Sequence, residues 1–183
     1  MTTAELAKIA NLTDDAQALL RDDLSPSKYL AALSEKSLFK DAIQFLAHGM
    51  QVPTAIRWAS ACVKEFQAPD PKAKGKESLA VADKWLQSPD EKTRWAAKKA
   101  ADDAEMSSAA DCVAMAVFFG GKSISPPEVP ENPPPPYSAQ KMAAGGILIA
   151  AVAHAPEKAP DKYRRALEMG KDMVKSGAAS KQA

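Results

Sequence analysis

The chain has 183 residues and a formal net charge of +1, from 24 basic and 23 acidic side chains, so no overall field draws it to nucleic acid or to an acidic membrane surface. Hydrophobic residues make up 46% but aromatics only 6%, which points to an alanine-rich core of closely packed helices. Cys62 and Cys112 stand alone in apolar surroundings and form no disulfide framework; with no basic head and apolar core at the N-terminus, the expected location is the cytoplasm.

Helix punctuation recurs along the chain. Thr13 is a candidate N-cap, with Asp14 and Asp15 in the first turn. Ser25-Pro26 opens a helix to about Ser34, placing Tyr29, Leu30 and Leu33 on one face. Leu38, Phe39, Ala42, Ile43 and Leu46 have helical spacing up to Gly49, and Pro53 begins the next helix, with Ile56, Ala59, Cys62, Val63 and Phe66 inward. Asp70-Pro71 is read as the start of another, carrying Leu79, Ala82, Trp85 and Leu86. In Ser88-Pro89-Asp90-Glu91, serine caps, proline takes the first turn and Glu91 closes a capping box on a helix reaching about Glu105. Ser108 caps an apolar helix, Ala109 to Phe119, that stops at Gly120-Gly121. Ser138 starts a helix through Ala153, and Asp161 to Lys175 forms the last, ended by Gly177. No segment alternates with a period of two. The expected fold is all-α: a single domain over residues 1–177, a bundle of about eight helices, with a frayed tail at 178–183.

Seven of the fourteen prolines fall between Pro126 and Pro136. A run this dense is neither helix nor central strand, because proline fixes φ and lacks an N–H. As an extended strap it would reach roughly 34 Å at 3.1 Å per residue. Such a strap, Ser125 to Tyr137, is long enough to return along helix 109–119 and set helix 138–153 parallel beside it. The other reading is a ligand: Pro127-Glu128-Val129-Pro130 and Pro133 to Pro136 fit PxxP, and Pro134-Pro135-Pro136-Tyr137 fits PPxY. The length of the strap favours the tether.

Other features have plain readings. Gly145-Gly146 suggests close packing of another element on bare helix backbone. Gly120-Gly121-Lys122-Ser123 lacks the upstream glycine of a phosphate loop and reads as a helix end. His48 and His154 close helices, where a cation complements the dipole. Neither they nor the cysteines have metal-ligand spacing, and no cofactor is expected. Asp102, Asp103 and Glu105, close to Lys98 and Lys99, read as a solvated face, and Lys72 to Lys76 with Lys92, Arg94, Lys98 and Lys99 as a basic patch too diluted by acids for nucleic acid. Arg57-Trp58-Ala59 is echoed at Arg94-Trp95-Ala96, 37 residues on, either a duplicated helix unit or two ordinary helices.

The segment Leu79 to Ala97, with Trp85, Pro89, Glu91 and Arg94-Trp95, is followed by an apolar helix ending Phe118-Phe119-Gly120-Gly121 and then the proline strap. This arrangement resembles an uncharacterised family of bacterial all-helical proteins found near type VI secretion effector-delivery components. The resemblance implies fold and context, and no catalytic residues. The expectation is a non-enzymatic interaction module, an adaptor or chaperone-like accessory of a secreted effector, whose partner is another protein. Trp58, Trp85, Trp95 and Tyr137 are the candidate anchors, because aromatic side chains dominate interfaces. A toxin-neutralising immunity protein and an enzyme with a site assembled from distant residues are the alternatives.

Overall fold

A computed structural model describes residues 1–21, 23–66 and 75–179. Among them are ten α-helices and no strand: α1 (Thr3–Ile9), α2 (Asp14–Gln17), α3 (Pro26–Glu35), α4 (Phe39–His48), α5 (Val52–Phe66), α6 (Lys76–Gln87), α7 (Glu91–Asp103), α8 (Ala109–Phe119), α9 (Ser138–Ala153) and α10 (Ala159–Ala179), the last preceded by a short 3₁₀ turn. The all-α expectation holds, with α1 unforeseen. The expected start at Asp70-Pro71 lies outside the described residues, and α10 runs through Gly177 rather than ending there.

Most ends follow the local chemistry. The Thr13 and Ser25 side chains accept from the Ala16 and Lys28 amides. At α7 the cap is Asp90 rather than Ser88: its carboxylate accepts from the Thr93 amide at 2.8 Å and the Thr93 hydroxyl at 2.6 Å. Asp41 reaches across the chain to accept from the Thr13 amide at 2.8 Å, locking α2 to α4.

α8 is the centre. Nine of its eleven residues are buried, so it is apolar all round and must be enclosed. α9, α7, α6 and α5 enclose it, and α10 lies across α4 and α5. Its one buried charge, Asp111, is satisfied by the Ser78 hydroxyl at 2.6 Å and by the Ser108 hydroxyl and amide at 2.7 and 2.8 Å.

α9 runs back against α8, not parallel to it. Gly146, in the middle of α9, faces Ala109, Cys112 and Val113 at the start of α8. At the other end Gly120 meets Val52, while the Gln140 side chain donates to the Met50 carbonyl at 3.3 Å. The end of α8 and the start of α9 therefore share one end of the bundle, which excludes the parallel arrangement expected of a tether.

The glycine pair divides into two roles. A Cβ on Gly146 would lie 3.0 Å from the Ala109 carbonyl oxygen, whereas one on Gly145 would meet nothing within 4 Å. Gly145→Ala should therefore stabilise the protein by about 0.5–1 kcal/mol through helix propensity. Gly146→Ala should destabilise it by about 1–3 kcal/mol through overpacking. Paired urea unfolding curves measure both, and equal shifts would contradict this packing.

Candidate functional site

The proline segment is a loop folded back on itself. The Ile124 amide donates to the Asn132 carbonyl at 2.7 Å, and the Ser123 hydroxyl accepts from the amides of Ser125 and Asn132, each at 3.0 Å. Between these points the chain turns, with the Val129 amide donating to the Pro126 carbonyl at 3.2 Å. Beyond this closure only Pro133 to Pro135 precede the turn at Pro136-Tyr137, where the Ser138 amide donates to the Pro135 carbonyl at 3.1 Å, so the span of roughly 34 Å is not used: a segment hydrogen-bonded to itself from 124 to 132 cannot bridge the bundle.

The root of the loop is Arg94. This guanidinium is 2% exposed, on the inward face of α7. Nη1 donates to the Phe118 carbonyl at 2.7 Å and Nη2 to the Ser123 carbonyl at 3.0 Å, while Nε and Nη2 form a fork on Glu91 at 2.9 and 2.8 Å. Its Cζ also lies over the Trp95 and Phe118 rings, 5.2 and 5.0 Å from their centroids. Gly121 packs on the guanidinium, where a Cβ would fall 2.4 Å from Nε. The bond from Arg94 holds the Glu91 carboxyl below the usual carboxylate value. Arg94 is thus no part of a basic patch. It fastens the end of α8 and the start of the loop to α7.

A cleft of about 600 Å³ lies beside this root, lined by Trp95, Lys122, Ser125, Pro126, Val129 and Glu131 among others. Val129, at the tip, is 49% exposed, with the acids Glu128 and Glu131 on either side of it in sequence.

The four aromatic candidates are not one site. Trp58 is fully buried and donates from Nε1 to the Ala166 carbonyl at 2.8 Å, tying α5 to α10; Trp85 is 7% exposed. Both serve the core and are closed to a partner of the folded protein. Trp95 is half-buried against Phe118, with ring centroids 5.1 Å apart. Tyr137 is half-buried in left-handed backbone (φ 61°), its ring 5.7 Å from that of His48, so the tyrosine of the PPxY match is engaged within the fold. The Arg-Trp echo also dissolves: α5 turns Trp58 inward and Arg57 outward, whereas α7 buries Arg94 and leaves Trp95 at the edge.

The nucleophile and base candidates stand apart. Cys62 Sγ lies 3.9 Å from Met169 Sδ, and burial pushes its thiol up to about 12. Cys112 packs at Gly146. His154 is exposed at the end of α9. Lys98 and Lys99 pair with Asp102 and Asp103 on the outside of α7. Among the described residues no three His, Cys, Asp or Glu side chains are grouped to hold a metal ion, and no helix is long and apolar enough to cross a membrane.

His48 departs from the expected role of a cation complementing the helix dipole. It is 2% exposed, with Nδ1 2.7 Å from the Gln44 carbonyl, and its Nε2 is the buried side-chain nitrogen without a partner among the described residues. Burial holds its pKa below the ordinary imidazole value, opposed by the Gln44 bond and reinforced by the nearby Lys141 charge. The unfolded chain accepts the proton near pH 6.5, which the folded chain resists. This group therefore costs no stability above about pH 6.5, and a loss grows as the pH falls through that value towards the lower folded pKa. His48→Leu should shrink the fall in urea midpoint between pH 7.5 and 5. An equal fall in both proteins would refute the assignment.

Against known proteins, a family model matches residues 29–174, a span that takes in Arg94 and the whole loop; that family is described as one of unknown function. No curated protein and no solved structure matches the chain.

Proposed function

The chain belongs to that family of unknown function, DUF6931, and from this premise we propose that it is a non-enzymatic interaction module whose proline loop is the surface read by a partner protein. One observation carries the proposal: the loop is rooted on a buried arginine yet exposes its tip. A preformed loop loses little conformational entropy on binding, and proline contributes apolar surface that is already ordered. With α8 and α9 antiparallel, a short turn would have joined them, so the long loop is not needed as a tether. Val129 flanked by Glu128 and Glu131 suits a partner offering an apolar pocket with cationic neighbours. A role as adaptor or chaperone-like accessory of a secreted effector is the finer form of this reading, supported only by the resemblance, which covers roughly residues 25–175 and is most specific at Trp85 to Glu91.

Affinity capture from the native cell with chemical cross-linking tests it. The expected result is a partner cross-linked near residues 126–131 that Val129→Asp abolishes while the unfolding temperature stays within a degree or two. Retention of the same partner by V129D would remove the loop from the interface.

A further inference from the structure

A second cleft lies away from Arg94, where α1, α3, α4 and α10 converge, with a volume of about 540 Å³. This is the size of small-ligand sites, which run from about 300 to 1,000 Å³. Its walls are apolar: Leu6, Leu30 and Phe45 are core residues that show one side to the cleft, joined by Leu46 and by Val174, which is 44% exposed. Gly49 contributes bare backbone and keeps it open; a Cβ there would come within 3.3 Å of Leu6 Cδ2.

The charges lining this cleft are of one sign. Lys171 and Lys175 stand one turn apart on α10, and no carboxylate joins them in its lining. Lys171 has no ion-pair partner among the described residues, and Lys175 reaches only Asp172 of its own helix, at 3.7 Å between largely exposed side chains. Pro26 and Ser27, the first turn of the ten-residue α3, line the same cleft and add the positive end of a helix dipole. An apolar trough with cations at its edge is complementary to an apolar chain that ends in an anion. A bare inorganic anion would leave the trough unused. An amphipathic helix, about 10–12 Å across with its side chains, is too wide to be enclosed by this volume over several turns.

We propose that this cleft binds a free straight-chain carboxylic acid, its chain between Leu30, Phe45 and Val174 and its carboxylate at Lys171 and Lys175. The proposal does not rest on the loop as partner surface, and V129D should leave it unchanged.

Calorimetric titration with dodecanoate below its aggregation concentration tests it, with dodecylammonium as the same chain carrying the opposite charge. The expected result is one dodecanoate per chain and at least tenfold weaker binding of dodecylammonium. Lys171→Glu with Lys175→Glu, and separately Val174→Asp, should each weaken dodecanoate at least tenfold. Val174 and Lys175 are exposed and Lys171 is half-buried, so circular dichroism and the unfolding temperature should be retained; Lys171→Gln with Lys175→Gln repeats the test should the double reversal disturb folding. Equal affinity for the two amphiphiles, indifference to the lysine substitutions, or no saturable binding would overturn the proposal. So would binding of an acidic amphipathic peptide in a chain that ignores dodecanoate, which would make the cleft a protein groove.

Discussion

Trp58→Ala should lower the unfolding free energy by about 3–5 kcal/mol, the range for deleting a fully enclosed aromatic side chain. Three losses coincide at this residue. The indole has no exposed surface, so its removal leaves a cavity in the middle of α5. Its Nε1 donates to the Ala166 carbonyl, which is left buried without that donor. Its ring also fills the space against Gly170, where an added Cβ would come within 2.7 Å of it, so α10 has been brought as close to α5 as bare backbone allows. The effect should appear as a lower urea midpoint with faster hydrogen exchange along α10. Trp58→Phe should recover the packing but not the bond, and fall between the two. A loss below about 1 kcal/mol for the alanine variant would mean that the α5–α10 contact does not hold the bundle together.

Arg94→Met is the second large effect, expected at about 2–4 kcal/mol. Methionine keeps most of the stem but removes the donor to the Ser123 carbonyl and leaves the Phe118 carbonyl only the Gly121 amide at 3.4 Å, where a buried group that loses its donor costs about 1–3 kcal/mol. Glu91 contributes little to the loss, because its side chain is 70% exposed and water replaces the ion pair. The local consequence matters more for function than the global one. Without Arg94 the start of the loop loses its attachment to α7, so the amides of Ile124 and Asn132 should exchange faster and proteases should cut between 124 and 132. Arg94→Lys should rescue only part, because one ammonium cannot reproduce a fork on Glu91 and two separate carbonyl bonds. Unchanged protection at Ile124 in Arg94→Met would show that the loop is held by its own Ser123 and Asn132 bonds, and Arg94 would cease to be its root.

The two sites were legible to different degrees. The loop announced itself by its prolines, and Gly120-Gly121 marked where α8 stops. Its geometry did not show, because the Ile124–Asn132 and Ser123 bonds depend on no local pattern. In the sequence Arg94 reads as one of the basic residues with Lys92, Lys98 and Lys99, since an arginine at this spacing carries no mark of burial. The bare backbone at Gly121 was the available signal that a large group lies against the end of α8. The apolar cleft left no trace in the chain order: its walls come from helices separated by more than a hundred residues, and Leu30, Phe45 and Leu46 look like any other core positions.

The amino-acid sequence by itself determined the helical class and most helix ends. These rest on interactions within one turn: Ser25 and Thr13 as caps, Ser108 with Asp111, and the glycines after α4 and α8. Only the tertiary structure decided that α9 returns against α8, that the proline segment closes on itself, and that Trp58 faces inward where Trp95 stays at the edge. The reason is physical. A cap is satisfied by atoms three residues away, whereas the facing of an arginine or the path of a loop depends on which carbonyl groups the rest of the chain leaves in need of a donor.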